Sequence, residues 1–118
     1  MSARRTRSAA AEGLRALAAL DCRPGAPLLA RAELSRALAV LPGWKHAKKS
    51  IAKRFGFADY YRTMAFVNAV AYVAHRQDHH PDMSVGYNRV DVVFSTHDAG
   101  GVTRNDCICA AKVELLAP

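Results

Sequence analysis

Residues 59–81 restrict the fold of this chain more than any other stretch. Tyr60, Met64, Val67, Ala71 and Ala74, joined by Phe66, Val70 and Val73, recur at i, i+3, i+4 and i+7. That period gathers them on one wide apolar stripe of an α-helix. Asp59 can cap its start, and the spacing predicts a helix running to about His79, ended by Pro81. A residue before proline is pushed out of the α region. His80 is therefore expected in an extended or turn conformation while His79 closes the helix, so the two adjacent imidazoles point in different directions. Residues 83–87 and 89–96 then read as two strands around a tight turn near Asn88. In the second, Val90, Val92 and Phe94 alternate with Asp91, Val93 and Ser95, which gives one apolar face turned toward the helices.

The rest of the chain supplies the other elements. Leu34, Leu38 and Leu41 recur at helical spacing within residues 28–41, and Pro42-Gly43 stops the run. Ile51, Arg54 and Phe55-Gly56-Phe57 suggest two short strands within residues 44–57, with a polar turn near Lys48-Lys49-Ser50. Asp98-Ala99-Gly100-Gly101 is a loop. Thr103 and Asp106 stand as N-cap and N3 of a capping box that opens a last helix, reaching about Leu116. The order α-β-β-α-β-β-α predicts an α+β fold: a two-layer sandwich with a four-stranded antiparallel sheet and helices packed on one face. The domain is expected to span 28–118. Residues 1–27 are Ala/Arg-rich and end in Cys22-Arg23-Pro24-Gly25-Ala26-Pro27, so they read as a dispensable extension, partly helical at 9–20, joined by a linker.

At 118 residues there is material for one domain and one core. No apolar run approaches the ~20 residues of a membrane helix. The N-terminus lacks the apolar core of a secretory signal, although Arg4, Arg5 and Arg7 weakly imitate a transit peptide. A cytoplasmic location is expected. The net charge of +7 raises nucleic acid as a partner. Its distribution argues against one: the first 27 residues carry +3, and the only cluster, Lys45, Lys48, Lys49, Lys53 and Arg54, has no interleaved aromatics. It reads as a solvated face. Cys22, Cys107 and Cys109 form no paired framework and read as small buried hydrophobes in a reducing compartment.

The chemistry concentrates in His75-Arg76-Gln77-Asp78-His79-His80-Pro81 and Thr96-His97-Asp98. Four of the five histidines lie within the 23 residues from 75 to 97. Imidazole, with an unperturbed pKa of roughly 6.5, exchanges protons near neutrality. Two uses are open. His75 and His79, four apart on a helix, could share a metal with His97. Against this, no Glu follows His75 in an H-E-x-x-H pattern, and the cysteines lie outside the cluster. The alternative is metal-free proton transfer at the rim where a helix end meets a strand end, with Asp78 or Asp106 orienting an imidazole. Asp106 can be a helix cap and an orienting group at once. His75 by itself reads as structural or rim, and His46 as surface.

These residues resemble the pterin-4a-carbinolamine dehydratases, also called the dimerisation cofactor family. The family pattern runs from an acidic, basic or His residue through His-His-Pro, an aromatic and a His to a spaced Asp. Here those positions are His75, His79-His80-Pro81, Tyr87, His97 and Asp106. The likeness spreads through Leu41-Pro42-Gly43-Trp44, Phe55-Gly56-Phe57, Tyr60, Phe66, Val90, Ser95 and Gly101, covering about residues 30–113. It implies dehydration of 4a-hydroxytetrahydropterin to quinonoid dihydropterin, which recycles the cofactor of aromatic amino acid hydroxylases. It implies His79, His80 and His97 as catalytic, and Asp78, Pro81, Ser95, Thr96 and Asp98 as substrate-binding. Asp106 is the supporting residue expected to orient His97, and His75 stands where many members carry Glu. No metal and no resident cofactor are implied. The implied partners are the pterin, a further copy of the chain in a homodimer or homotetramer, and a hydroxylase. Some members act instead as non-catalytic interaction partners of a hydroxylase or a transcription factor.

Overall fold

The computed structural model describes residues 2–117, with side chains described from Ala9 onward, so those of Arg4, Arg5 and Arg7 lie outside it. The elements are α1 (Ser2–Ala18), α2 (Arg31–Ala39), β1 (Lys45–Ala47), β2 (Ser50–Gly56), α3 (Tyr60–Gln77), β3 (Asp82–Val85), β4 (Arg89–Phe94), a 3-10 turn (His97–Ala99) and α4 (Arg104–Glu114). The four strands form one antiparallel sheet in the order β1-β2-β4-β3. This is the α+β fold expected from the sequence, with α1 as an additional helix.

Alternation decides which face of the sheet is covered. Val90, Val92 and Phe94 are buried beneath the helices, and across β2 their register partners include Ile51, opposite Phe94, and Phe55, opposite Val90, both buried. Side chains two apart share a face, so Asp91 falls on the other side, where its carboxylate accepts hydrogen bonds from Arg54 at 2.6 and 3.1 Å. α3 begins as expected: Asp59 accepts the Arg62 N–H at 2.8 Å, and Phe66, Val70 and Ala74 are buried. Phe66 packs against Phe55 and Phe57 at ring separations of 4.7 and 5.0 Å.

The basic cluster near residues 45–54 is only partly a solvated face. Lys45, Lys48 and Lys49 are exposed. Lys53 instead donates to both Glu114 oxygens, at 2.8 and 2.9 Å, and to the Pro42 carbonyl at 2.7 Å. The Trp44 indole N–H donates to the same carboxylate at 2.9 Å. This ion pair ties β2 to the end of α4.

α4 is enclosed on all sides: residues 105–111 and Val113 are all buried. Successive helical residues turn by about 100°, so an unbroken buried run cannot face a single layer. The sheet and α3 take one side. The other is covered by α1, with Ala18 buried, Leu14 and Leu17 packed on the core, and Lys112 donating to the Ala18 carbonyl at 2.7 Å. The segment ahead of residue 28 thus packs on the core rather than standing apart from it, and its helix begins earlier than the expected residue 9. Deleting residues 1–20 is expected to cost about 2–4 kcal/mol, less than the roughly 3–6 kcal/mol of two fully buried leucines because Leu14 and Leu17 are only half-buried. Urea unfolding of the shortened and full chains measures it.

Candidate acid-base site at the sheet rim

The geometry of the site starts where α3 stops. The helix closes at Gln77, earlier than expected, because Asp78 adopts a left-handed conformation at φ 49°. Aspartate tolerates this region better than most non-glycine residues. The turn is held by two backbone bonds, Asp78 N–H to the His75 carbonyl at 3.2 Å and His79 N–H to the Ala74 carbonyl at 3.1 Å. His79 therefore lies beyond the helix rather than closing it, and it does not share a helical face with His75. His75 stays exposed on α3, outside the cavities described below.

His79 folds back onto the end of β4. Its ring stacks on Phe94, with centroids 6.0 Å apart and planes 10° apart. Its Nε2 lies 2.6 Å from Asp106 Oδ1. Asp106 is fully buried in the first turn of α4, where its other oxygen accepts the Thr103 N–H and the Thr96 hydroxyl, both at 2.8 Å. The proton count is complete. Thr96 spends its one hydroxyl proton on Asp106, so Thr103 donates to Thr96 Oγ1 at 2.8 Å and accepts the Asn105 N–H at 3.2 Å. Asp106 thus acts only as an acceptor in this network, which makes His79 the donor at Nε2. Its Nδ1 has no partner among the described residues. The expected double role of Asp106, cap and orienting group, is present. Its imidazole is His79, however, and not His97 as expected, because the start of α4 crosses the chain at residue 79.

The Asp106 hydrogen bond raises the His79 pKa above its ordinary value; burial opposes the rise, and the charges of Asp106, the Cys22 sulfur and Asp78 add to it. A raised folded-state pKa means that the native protein holds this proton more tightly than the unfolded chain. The stabilisation is complete below the unfolded value, about 6.5, and disappears as pH climbs through the higher folded value. The Tm advantage of wild type over His79→Gln is therefore expected to be greatest in mildly acidic buffer and to shrink toward alkaline pH. A calorimetric pH series reads it, and a constant difference would disprove the linkage.

Around this anchor, Asp78, His79, His80, Ser95, Thr96, His97 and Asp98 line one pocket of about 280 Å³. His80 and His97 are exposed, as are Asp78 and Asp98. Gly100, at φ 77°, closes the turn that carries His97, and Thr96 N–H donates to the Gly101 carbonyl at 2.8 Å. Ser95 directs its hydroxyl to the Lys49 carbonyl at 2.6 Å. Pro81 is half-buried behind His80 and lines neither cavity. Tyr87 stands apart, stacked on Tyr60 at 6.3 Å. Among the described residues no three His, Cys, Asp or Glu side chains converge as metal ligands.

A larger cavity of about 780 Å³ shares Asp78, His79, Thr96 and Asp98, and its far wall is built from residues 22–28, Gln77 and Asn105. No periodicity or spacing in residues 22–28 predicts that wall. It is fastened by a reciprocal pair, Arg23 N–H to Asn105 Oδ1 at 3.1 Å and Asn105 Nδ2 to the Arg23 carbonyl at 2.8 Å.

Comparison with known proteins gives the family. The family model described as pterin 4 alpha carbinolamine dehydratase matches residues 27–116. The chain belongs to the pterin-4a-carbinolamine dehydratase family. A dehydratase-family relative from Nitrosospira multiformis, named "Putative pterin-4-alpha-carbinolamine dehydratase", is 50% identical over 103 residues, spanning 85% of this chain and 91% of its own. A relative of the same name from Xanthomonas campestris pv. campestris is 57% identical over 90 residues, 75% of this chain and 76% of its own. Among solved structures, a transcriptional coactivator/pterin dehydratase from Brucella melitensis superposes with a TM-score of 0.74 at 36% identity, covering 76% of this chain and 98% of that one. A pterin dehydratase-like protein described as a RuBisCO assembly factor in the alpha-carboxysome reaches a TM-score of 0.53 at 27% identity, over 63% of this chain and 86% of that one. No helix among the described residues is long and apolar enough to cross a membrane.

Proposed function

We propose that this member of the family removes water from a 4a-hydroxytetrahydropterin to give quinonoid dihydropterin, with its own histidines as acid and base. The observation that carries the reading is the buried Asp106 carboxylate holding His79 at 2.6 Å beside a pocket that His80 and His97 also line. Hydroxide is a poor leaving group, so an acid must protonate the 4a-oxygen. His80, exposed at the rim, takes that role, and the oxygen departs as water. As the C=N bond forms, a ring nitrogen loses a proton. His79 accepts it at Nδ1, since Nε2–H is committed to Asp106, and the resulting imidazolium is balanced by that carboxylate. His97 places the ring from the end of β4, and Asp78, Ser95, Thr96 and Asp98 supply polar edges for the pterin, with Pro81 fixing the backbone of His80. His75, exposed and outside the pocket, supports at most the rim.

In this reading the reaction needs no metal and no resident cofactor. The tetrahydropterin is that of an aromatic amino acid hydroxylase, and the chain works in the cytoplasm as a homodimer or homotetramer whose edge strands β1 and β3 are free to pair. The catalytic domain is 28–118. The relatives described as a coactivator and as an assembly factor motivate a second, non-catalytic reading. The convergence of three imidazoles on one pocket favours the enzyme. The decisive measurement is the decay of chemically generated carbinolamine with purified protein. Wild type should accelerate it, and His80→Ala should lose about 10²- to 10⁴-fold, the usual worth of one general acid. Wild type without acceleration would sink the enzyme reading and leave the interaction one.

A further inference from the structure

Cys22 lies outside the matched family region and Cys109 in the middle of α4, yet their sulfurs are 3.5 Å apart. The two are brought together by the same fastening that builds the cavity wall. The Cys22 N–H donates to Gln77 Oε1 at 2.7 Å, and the Arg23 backbone is clasped by Asn105 through both its N–H and its carbonyl. Both cysteines carry free thiols. We propose that Cys22 and Cys109 are a redox modification site, closing into a reversible intramolecular disulfide when the protein meets a hydroperoxide.

Three features support the assignment. The first is distance. A disulfide needs about 2.05 Å between sulfurs, and the remaining 1.5 Å or so lies within a small side-chain rotation of a residue on a non-helical segment. The second is access. Cys22 is half-buried and lines the 780 Å³ cavity, whereas Cys109 is fully buried behind it. An oxidant therefore meets Cys22 first and Cys109 resolves it. The third is acidity. The hydrogen bond from Cys109 lowers the Cys22 pKa, with burial and the Asp106 charge opposing and the positive charges of His79 and Lys112 assisting; the same bond and burial push Cys109 up. The thiolate is the nucleophile, so Cys22 attacks. Cys107, two residues from Cys109, is pushed up to about 12 by burial and has no sulfur partner among the described residues.

The chemistry balances with the hydroperoxide as oxidant. Cys22 sulfur attacks the distal oxygen, the O–O bond breaks, and an alcohol or water leaves with a cysteine sulfenic acid behind. Cys109 sulfur then attacks Cys22 sulfur, the S–O bond breaks, and the hydroxyl leaves as water with the Cys109 proton. Two thiols are oxidised, and the peroxide is reduced to alcohol and water. A bond here would pin the cavity wall to α4. In a reducing compartment such a link is transient and reversed by dithiols.

The test uses the wild-type chain. Reduced protein is treated with hydrogen peroxide, alkylated, digested without reductant and mapped by mass spectrometry. The expected product is one linked peptide pair joining Cys22 to Cys109, two hydrogens lighter than the thiols and restored by dithiothreitol, with Cys22 consumed at least about tenfold faster than Cys107. In Cys109→Ser the link is gone and Cys22 is captured by dimedone as sulfenic acid. Cys22 and Cys109 surviving as thiols, a link through Cys107, or a link between two chains would each overturn the proposal. The mapping reads sulfur and not turnover, so its failure is distinguishable from failure of the pterin reaction.

Discussion

Asp106→Asn is expected to fold and yet lose roughly 10³- to 10⁴-fold in carbinolamine dehydration, by the tautomer argument that applies to any carboxylate-backed imidazole. The Asn amide keeps one oxygen to accept from Thr103 N–H and the Thr96 hydroxyl, so the cap survives. Its NH2 must then face His79 Nε2, where the native carboxylate accepted a proton 2.6 Å away. Two donors cannot face each other, so His79 moves its proton to Nδ1, the nitrogen assigned as base. Turnover should fall while the far-ultraviolet spectrum stays near wild type, and the urea midpoint should approach wild type at alkaline pH, where the His79 linkage has faded. Asp106→Ala is the contrasting variant: it orphans a backbone N–H, a hydroxyl and an imidazole at once, in a buried position, and is expected to lower stability as well as activity. An Asp106→Asn enzyme of unchanged rate would remove His79 from the proton path.

The second large effect is expected at Phe94. It is 1% exposed, stacks beneath His79 and packs against Trp44 at 6.0 Å. Phe94→Ala should cost about 3–5 kcal/mol through lost burial and the cavity left behind, a large share of the 5–15 kcal/mol that typically separates folded from unfolded states. For a domain of this length the Tm is expected to fall by at least about 10 °C. The substitution also removes the surface that fixes the His79 ring, so residual activity below the melting range should drop further than that of Phe55→Leu, a core change away from the histidines. Scanning calorimetry beside the dehydration assay separates the two consequences.

Much of the fold was legible because its signals are local. The stripe from Tyr60 to Ala74, the alternation of Val90, Val92 and Phe94, and the Thr103 and Asp106 capping box each depend on a periodicity or spacing carried within one element. The left-handed turn at Asp78 was less accessible. Pro81 announces that the helix must stop, yet Asp78 stops it sooner, and the choice rests on backbone bonds to His75 and Ala74 that compete with one more helical turn. That difference moved His79 off the face of His75 and into the pocket. The burial of α4 was partly legible in Cys107-Ile108-Cys109-Ala110-Ala111, an apolar run too continuous for one exposed side, but nothing in it names α1 as the cover.

The sequence by itself determined the helix and strand order, the antiparallel sheet with one apolar face, and the set of histidines and acids available for proton transfer. Those follow from 3.6- and 2-residue periods, from caps and from proline, all of which act over a few residues. Only the tertiary structure decided that Asp106 holds His79 rather than His97, that His75 stays outside, and that Cys22 reaches Cys109. The two contacts join residues 27 and 87 positions apart, and which of several chemically equivalent partners meet is settled by where packed layers cross.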